Sequence, residues 1–529
     1  MLVEKTHVVA RRLHPSLRLR LVVDGVLIGL VCGSASVGYR ALVGLMENWR
    51  GVLYAQRGLL IVAVLGLLFL LGSGMGWLLK RAPYSGGSGI PQIRAELMGR
   101  IHMDVVWTFI SKLFGGAFAA LGGLSLGREG PSIQIGGLVA KGLGHLLKKD
   151  EVETNYMITA GASAGLSAAF NAPIAGALFA LEEMHKSFSP FLMLPVLLSS
   201  IVANALAFFT LGVEPAFSFR FQQVLPMSMA PVIVAVGILC GLMGALYNKG
   251  IMTALCGFDR IKLPKPVVLG LLMVLSYPIG RWMPEVLGGG HHMVEEMTKG
   301  GVGFFPLFSL VAVNLVFTWI CFGSGAQGGI FLPTLVLGAG TGQLVYLLLS
   351  PYLPLDGYGV NFIILGMVGV LTAVVRAPIL SILLIMEMTA SFTHLISIST
   401  VAYVSFLVAE LIHSEPVYES LYERLVARLR PEPVVKQHFL VTSYRLSSLC
   451  PHLGTPLHRL HFPCHLVILT IHREGEEFFP SAKTRLCPGD ELLVYHAKED
   501  TEAIDEYFRT EGDVIASGSR DVLDEEVLT

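Results

Sequence analysis

Apolar stretches recur along the first 412 residues of this 529-residue chain, and several of them are interrupted by glycine or proline. They lie near residues 57–79, 104–126, 156–181, 190–213, 229–247, 266–280, 304–322, 329–350, 359–386 and 394–412. Several are shorter than the roughly 20 residues that a straight helix needs to cross a bilayer. Broken helices at membrane depth are tolerated only where they are buried in protein or line a cavity. The pattern therefore predicts a polytopic membrane protein with a transporter-like or channel-like core.

Composition agrees with a membrane protein. Apolar residues make up 53% of the chain and charged residues 15%, whereas soluble domains carry about 25% charged residues. The net charge of −1 gives no reason to expect a nucleic-acid partner. The seven cysteines are scattered without a C-x-x-C motif, so we interpret them as packing residues or free thiols. A basic N-terminal segment, residues 1–20, lacks a cleavage site and is expected to be cytoplasmic.

The chain also repeats itself. Residues 168–182 match residues 373–387 at a separation of 205, and residues 127–137 match residues 329–339 at a separation of 202. Prolines and glycines coincide in both matches, as well as aliphatic side chains. Matching broken helices in two halves are the best sequence indication of a transport site.

One charged segment lies inside this apolar setting. Gly127 to Pro131 reads GREGP, and neither residues 113–126 before it nor residues 132–140 after it contain a charge. An ionisable residue within the membrane is a functional-site hypothesis by default. The flanking glycine and proline favour a helix start, whose free N–H groups attract anions.

Five segments together resemble a known family, the CLC chloride channels and proton/chloride antiporters, over about residues 20–425. They are GSGIP at 87–91, GREGP at 127–131, NAPIAGALFALEEM at 171–184, GGIFLP at 328–333 and PVYESL at 416–421. The resemblance implies an all-α membrane domain, residues 21–425, with about 18 broken and partly re-entrant helices. It also implies an inverted repeat of two halves (about 21–215 and 225–415) and a homodimer in which each subunit has its own pathway.

The family's anion filter maps onto specific residues here. A bare anion in an apolar medium costs tens of kcal/mol, and four charge-assisted hydrogen bonds would return roughly 6–12 kcal/mol. The expected chloride-binding groups are the hydroxyls of Ser88 and Tyr418 and the backbone N–H groups of Ile330 and Phe331. Tyr422 is a competing tyrosine. Serine in the first signature goes with chloride preference in the family.

The resemblance assigns proton roles to two glutamates. Glu129 is expected to be the gate, which blocks the anion path when ionised and leaves it when protonated. Glu183 is expected to pass protons from the inside, and its presence favours an antiporter. Supporting roles fall to Gly127, Arg128, Gly130, Pro131 and Lys112. For Lys112, support of Glu183 and snorkelling to the interface are both open.

The chain departs from bacterial antiporters at two positions. Gln92 and Arg94 stand where the family often has acids, so we expect a rearranged charge network on the inner side.

We therefore predict a proton-coupled chloride antiporter in a bacterial inner membrane, with both termini cytoplasmic. It is expected to be no enzyme, with no catalytic residues, no metal and no cofactor; chloride is bound as substrate. The alternatives are a passive voltage- or pH-gated CLC channel, a membrane metallohydrolase using His291 and Glu295, and a ligand sensor. The i, i+4 spacing of His291 and Glu295 places them on one helix face.

Composition changes near residue 426. Residues 426–436 are expected to be a linker, and residues 437–510 a soluble α+β domain resembling TrkA-C (RCK C-terminal) domains. Such domains often bind small ligands, whose identity here is unknown. Residues 511–529 are expected to be a disordered acidic tail.

Overall fold

The structure, a computed structural model, describes residues 15–185, 189–212, 217, 219, 225–389, 394–429, 438–447, 450–460, 462–473, 476–508 and 513–519. The chain divides into two units, Met1–Val426 and Ala427–Thr529. The first unit is helical and holds nearly all of the apolar core, and the second is a small α+β unit.

Seventeen α-helices are described that begin in the first unit, and they form two series of eight followed by one more. The first series is α1 (Pro15–Tyr54), α2 (Leu60–Arg81), α3 (Ile90–Leu97), α4 (Val105–Leu121), α5 (Glu129–Leu146), α6 (Glu151–Phe170), α7 (Pro173–Phe179) and α8 (Pro190–Leu211). A π-helical turn, Ala180–His185, continues α7. Such turns are rare and often lie at functional sites.

The second series repeats the first in the same order. It comprises α9 (Ala230–Asp259), α10 (Lys265–Trp282), α11 (His291–Lys299), α12 (Phe304–Gly323), α13 (Phe331–Leu349), α14 (Gly359–Val375), α15 (Pro378–Thr389) and α16 (Leu395–Leu411), and α17 (Val417–Leu429) follows. Among the residues that the structure describes, six helices are long and apolar enough to cross a membrane, and α4, α14, α15 and α16 are shorter apolar helices. The predicted mixture of full spans and short broken helices is confirmed.

Equivalent positions of the two series have the same local structure. Helix α6 ends at Asn171 (φ 57°) and α14 ends at Arg376 (φ 68°), both left-handed and both two residues before a helix-initiating proline. These two caps are separated by 205 residues, as are the matched sequences. The left-handed residue lets the chain reverse sharply into the next short helix. The duplicated halves predicted from sequence are therefore present in the backbone.

Close helix packing in each half also depends on equivalent glycines. A Cβ on Gly136 would stand 2.1 Å from the carbonyl oxygen of Gly161, and one on Gly338 would stand 2.5 Å from that of Gly366. Any side chain at Gly136 or Gly338 would separate α5 from α6 or α13 from α14. Small residues allow such backbone approach in membranes, where no water drives helices together.

The soluble unit contains a five-stranded antiparallel sheet in the order β3-β2-β4-β1-β5. The strands are β1 (His438–Arg445), β2 (Leu466–Arg473), β3 (Glu476–Phe478), β4 (Glu491–Ala497) and β5 (Asp513–Ser519), and the helix is α18 (Thr501–Phe508). Tyr444, Leu492 and Phe508 belong to its core. The strands predicted near 465–475 and 488–500 and the helix at 501–508 are confirmed.

The described elements extend past three predicted boundaries. Helix α1 begins at Pro15, inside the segment assigned to the N-terminal tail, because the apolar run is preceded by residues that continue the helix. Helix α17 extends to Leu429, into the predicted linker. Residues 513–519 form β5, which pairs with β1, so this part of the predicted disordered tail is ordered; residues 520–529 lie outside the described residues.

Candidate functional site

Three signature loops are joined by backbone hydrogen bonds. Gly127 and Gly329 each donate an N–H to the carbonyl oxygen of the other, both at 2.7 Å. The N–H of Gly87 donates to the carbonyl of Ala326, and that of Gly328 donates to the carbonyl of Gly87, both at 3.1 Å. The loops that contain GSGIP, GREGP and GGIFLP therefore form one backbone cluster within the membrane unit.

A helix begins directly after each of these loops. Helix α3 begins at Ile90, α5 at Glu129 and α13 at Phe331. The first N–H groups of a helix have no intrahelical partner, and the helix dipole places partial positive charge there. Three such ends meet at the cluster. Their partial positive charges make the cluster electrostatically favourable for an anion.

Glu129 lies at the centre of this cluster and is 1% exposed. A Cβ on Gly127 would stand 2.2 Å from Glu129 Oε2 and 3.3 Å from the backbone nitrogen of Leu332, so the carboxylate lies beside the first turn of α13. Neither carboxylate oxygen has a hydrogen-bond partner among the described residues. Arg128 Nε is 4.0 Å from Oε1, at the limit of an ion pair. The carboxylate is therefore held by no hydrogen bond from the described residues and by no more than this long contact with Arg128.

Ser88 and Tyr418 contribute two hydroxyl groups to the same region. Both are buried, at 1% and 2% exposed. Ser88 Oγ would stand 2.5 Å from a Cβ on Gly130, so the hydroxyl touches the start of α5. Neither hydroxyl has a hydrogen-bond partner among the described residues. Both donors are therefore available to a ligand.

Ile330 and Phe331 close the cluster from the second half. Both are buried, and they form the end of the loop and the first residue of α13. The Ile330 carbonyl accepts from Thr334 Oγ1 at 2.7 Å and from the Tyr247 hydroxyl at 3.3 Å. These bonds fix the peptide, while the N–H groups at the helix start have no intrahelical acceptor.

Lys112 is buried and does not snorkel. It is 0% exposed, and its ammonium donates to the carbonyl oxygens of Ser85 at 2.8 Å and Gly87 at 2.7 Å. The interfacial alternative is therefore wrong, because the side chain from the middle of α4 points inward to the first signature loop. Its observed contacts hold the loop that presents Ser88.

Glu183 lies in the π-helical turn that follows α7 and is partly buried. The next polar neighbour in this turn, His185, meets Thr159 Oγ1 at 3.1 Å through Nδ1. The ring of Phe179, the last residue of α7, meets that of Tyr418 edge-on with the centroids 6.2 Å apart. The turn that carries Glu183 therefore begins beside Tyr418.

The predicted change in the inner charge network has a definite form. Arg94 is buried and makes a bidentate ion pair with Glu419, whose carboxylate oxygens lie 2.7 and 3.0 Å from its guanidinium nitrogens. Its guanidinium also lies 4.4 Å from the ring centroid of Tyr422. Gln92 donates to the carbonyl of Gly86 at 2.8 Å. The ring of Tyr422 therefore packs against Arg94, and of the two candidate tyrosines Tyr418 is the one at the cluster.

A small cavity of about 20 Å³ adjoins the cluster. Its lining includes Tyr39, Glu47, Gly127, Arg128 and His291. This volume is enough for one water molecule. The cavity therefore has room for one water molecule beside the loop that carries Glu129.

His291 and Glu295 do not converge as the metallohydrolase alternative requires. The ring of His291 packs 5.0 Å from that of Phe217, whereas the Glu295 side chain is 61% exposed and lies 3.6 Å from His292. Within the described ranges, no group of three His, Cys, Asp or Glu side chains could hold a metal ion. Helix α11 is instead the second-half counterpart of α3, and each follows a left-handed glycine, Gly290 or Gly89.

Comparison with known proteins decides the family. The family model described as "Voltage gated chloride channel" matches residues 71–410. The chain belongs to this family. The family match spans the three signature loops, Glu129 and Glu183, and ends before Tyr418.

Relatives within the family are similar over most of their length. The "H(+)/Cl(-) exchange transporter ClcA" of Vibrio cholerae is 32% identical over 413 residues, which is 75% of this chain and 88% of that protein. The protein of the same name from Klebsiella pneumoniae is 32% identical over 429 residues, covering 77% of this chain and 89% of its own.

Solved structures of the family share the fold. A slow cyanobacterial Cl⁻/H⁺ antiporter is 31% identical, with a TM-score of 0.71 over 79% of this chain and 99% of the other. A CLC-type fluoride/proton antiporter is 20% identical, with a TM-score of 0.65 over 76% and 97% of the two chains. The predicted CLC-type fold is confirmed.

Two features of the site were missed by sequence reasoning. One is the π-helical turn under Glu183, since an extra residue in a helical turn leaves no clear signature in an apolar sequence. The other is the carboxylate of Glu387, which accepts from the N–H groups of Ile174 at 3.0 Å and Ala175 at 2.8 Å and so caps α7. The repeat aligned Glu387 with Glu182, and that match was the available signal for a role at this helix.

Proposed function

We propose that this protein exchanges chloride for protons across the membrane, with Glu129 as the gate. The observation that carries the proposal is the buried carboxylate of Glu129, which lies without a hydrogen-bond partner among the described residues at the meeting point of three helix starts. That place suits an anion. A carboxylate there competes with chloride when ionised and loses its attraction when protonated, so proton and chloride movement become linked.

Chloride is the substrate that the donors favour. The Ser88 and Tyr418 hydroxyls and the N–H groups of Ile330 and Phe331 offer neutral hydrogen bonds from a buried position. Neutral donors hold an anion while leaving binding weak enough for release. Gly127, Gly130 and Pro131 shape the loop and the helix start, and Arg128 adds a positive charge beside the gate.

Glu183 is the inner proton site in this proposal and the reason to favour exchange over passive conduction. It is a second acid, partly buried, one helical turn after Phe179, whose ring packs edge-on against that of Tyr418. A passive channel needs no acid at this place. Relatives that are 32% identical carry the name of H(+)/Cl(-) exchange transporters, which supports the same choice.

The experiment that tests the proposal uses purified protein in chloride-loaded liposomes. Chloride efflux and external pH are recorded together after a potassium ionophore clamps the potential. An exchanger drives proton uptake during chloride efflux, and the uptake stops when a protonophore removes the proton gradient. Chloride efflux without proton uptake would favour the channel alternative, and no chloride efflux would exclude both.

We further propose a homodimer in a bacterial inner membrane with both termini cytoplasmic. The short helices α7 and α15 expose Ile174 and Ile379 at 53% each, and α8 and α16 expose Ile201 and Leu407. These helices are equivalent in the two halves and would give a self-complementary apolar face. Light scattering of the detergent-solubilised protein checks the mass, and access of a membrane-impermeant reagent to terminal tags checks the orientation.

The soluble unit is proposed to be a TrkA-C-like regulatory domain that takes a small ligand. It has its own core and a buried Asp490 whose oxygens accept from Arg473 at 2.7 and 2.8 Å, so it is built as a separate folding unit. A chain ending after Leu429 tests its role. Unchanged exchange by this shortened chain would support regulation over a part in transport itself, whereas loss of exchange would assign the unit to assembly or stability.

A further inference from the structure

Arg94 connects two helices at the level of the anion site. It projects from α3, which begins two residues after Ser88, and pairs through both guanidinium nitrogens with Glu419 on α17. Glu419 directly follows Tyr418. The side chain of Arg94 is 9% exposed and that of Glu419 is 32% exposed. The ion pair therefore joins the helix that follows one hydroxyl donor to the helix that carries the other.

The same arginine makes a second contact with α17. Its guanidinium lies 4.4 Å from the ring centroid of Tyr422, within the range of a cation–π interaction. Tyr422 is one helical turn after Tyr418, so both rings lie on one face of α17. Arg94 thus contacts two residues of α17, Glu419 directly after Tyr418 and Tyr422 one turn later.

We propose that Arg94, Glu419 and Tyr422 form a latch that holds Tyr418 against Ser88 and keeps the inner side of the anion site closed. This inference rests on the proposed exchange function. In an exchanger, the chloride site must not be open to both sides of the membrane at the same time, because chloride would then pass without a proton. A loosened Tyr418 would let chloride leave inward without a proton, so the latch protects the coupling between the two ions.

The chemistry of the contact suits a mechanical role. An arginine fork on a carboxylate fixes direction as well as distance, and the planar guanidinium stacks on an aromatic ring at the same time. A lysine would keep the charge and lose both geometric features. Phe179 supports the tyrosine from another side, with its ring centroid 6.2 Å from that of Tyr418 in an edge-on arrangement. Tyr418 is therefore held by α17 itself, by Phe179 and through Arg94.

A different role for Arg94 makes the opposite prediction for its partner. If the guanidinium acted by attracting chloride to the inner mouth, removing Arg94 would slow transport and removing Glu419 would expose the positive charge and accelerate it. If the pair acts as a latch, removing either residue loosens Tyr418, and both changes act in the same direction.

The experiment compares Arg94→Ala, Glu419→Ala and the exchanged pair Arg94→Glu with Glu419→Arg, all as full-length chains in liposomes. Lys149→Ala is the matched control, because it removes another partly buried ion pair of this unit, with Asp24 at 3.1 Å. We expect both single variants to raise chloride turnover about fivefold, equivalent to about 1 kcal/mol at 1.36 kcal/mol per factor of ten, and to lower the ratio of protons to chloride. The exchanged pair recovers most of the original ratio, and the control does not change it.

Several results would overturn the latch. Opposite effects of the two single variants would assign Arg94 to electrostatic attraction, and unchanged ratios in both would reduce the pair to a structural contact. If Arg94→Ala does not give a monodisperse protein, Arg94→Lys provides the same test with a smaller rise expected. Failure of the proposed function is distinguishable, because the unsubstituted protein would then move no protons, whereas failure of the latch leaves its exchange intact.

Discussion

Gly127 and Gly329 are equivalent residues of the two halves, and each donates its backbone N–H to the carbonyl oxygen of the other at 2.7 Å. This reciprocal pair places a local two-fold axis between the GREGP and GGIFLP loops. Two residues beyond each glycine, a helix begins at Glu129 or at Phe331. The pseudo-symmetry of the fold therefore brings the acid of one half and the helix start of the other to one place.

Glu129→Gln is expected to uncouple proton movement from chloride movement. The amide keeps the size of the side chain but carries no charge and takes up no proton, so chloride is no longer excluded and no proton is exchanged. Paired chloride and pH recordings in liposomes should show chloride efflux without proton uptake. Glu153→Gln, an exposed acid in the first turn of α6, is the control. Proton uptake at the original ratio in Glu129→Gln would refute the assignment of the gate.

Glu183→Gln is expected to stop proton transport while chloride continues to move. The change removes the only acid that this proposal places between Tyr418 and the inner solution, and it leaves the anion donors in place. The neighbouring Glu182→Gln is the matched control, because it alters an acid of the same π-helical turn. Proton fluxes that persist in Glu183→Gln, or that vanish equally in Glu182→Gln, would remove Glu183 from the pathway.

Gly130→Ala is expected to weaken chloride binding about tenfold or more. A Cβ there would stand 2.5 Å from Ser88 Oγ and 2.6 Å from the Ser88 carbonyl oxygen, so the hydroxyl must move, and one hydrogen bond to a charged group contributes about 1.5–3 kcal/mol. Calorimetric titration with chloride measures the loss. Gly142→Ala on the same helix is the control, since its Cβ would come no closer than 3.3 Å to a flexible valine methyl. Equal affinities in the two variants would argue against Ser88 as a ligand.

Lys112→Met is expected to destabilise the membrane unit and to weaken chloride binding. It removes two hydrogen bonds from a buried ammonium and leaves the carbonyls of Ser85 and Gly87 without that donor, at a cost of about 3 kcal/mol or more. The apparent melting temperature in detergent and the chloride affinity should both fall. Lys80→Met, an exposed lysine at the end of α2, should change neither. A melting temperature as high as that of the unsubstituted protein would show that the two hydrogen bonds of Lys112 do not stabilise the membrane unit.

The fold and the location of the anion site could be predicted from the sequence because the signature motifs determine where helices begin. Prolines such as Pro131 and Pro333 mark helix starts. The repeat at a fixed separation predicts which of these helix starts are equivalent in the two halves and meet. The partner of a long side chain is less predictable. Arg94 and Glu419 are 325 residues apart, so no local sequence signal reveals their pairing. The partners of Lys112 were equally unpredictable, because its ammonium donates to carbonyl oxygens of the first signature loop and does not extend to the membrane interface.

Strand β5 shows a second limit. Its residues follow a charged, weakly apolar stretch and resemble a tail, yet they pair with β1 over six positions. An edge strand receives much of its stability from backbone hydrogen bonds to its neighbour, so its own side chains need little hydrophobic character. Composition underestimates order in such a segment.

The two-fold relation around Gly127 and Gly329 is imperfect in one respect that gives the molecule a direction. Where the first half has Glu129 the second has Phe331, although their backbones are equivalent. A pathway with full two-fold symmetry would respond identically from either face of the bilayer. A titratable side chain at only one of these two equivalent helix starts makes inside and outside chemically unequal.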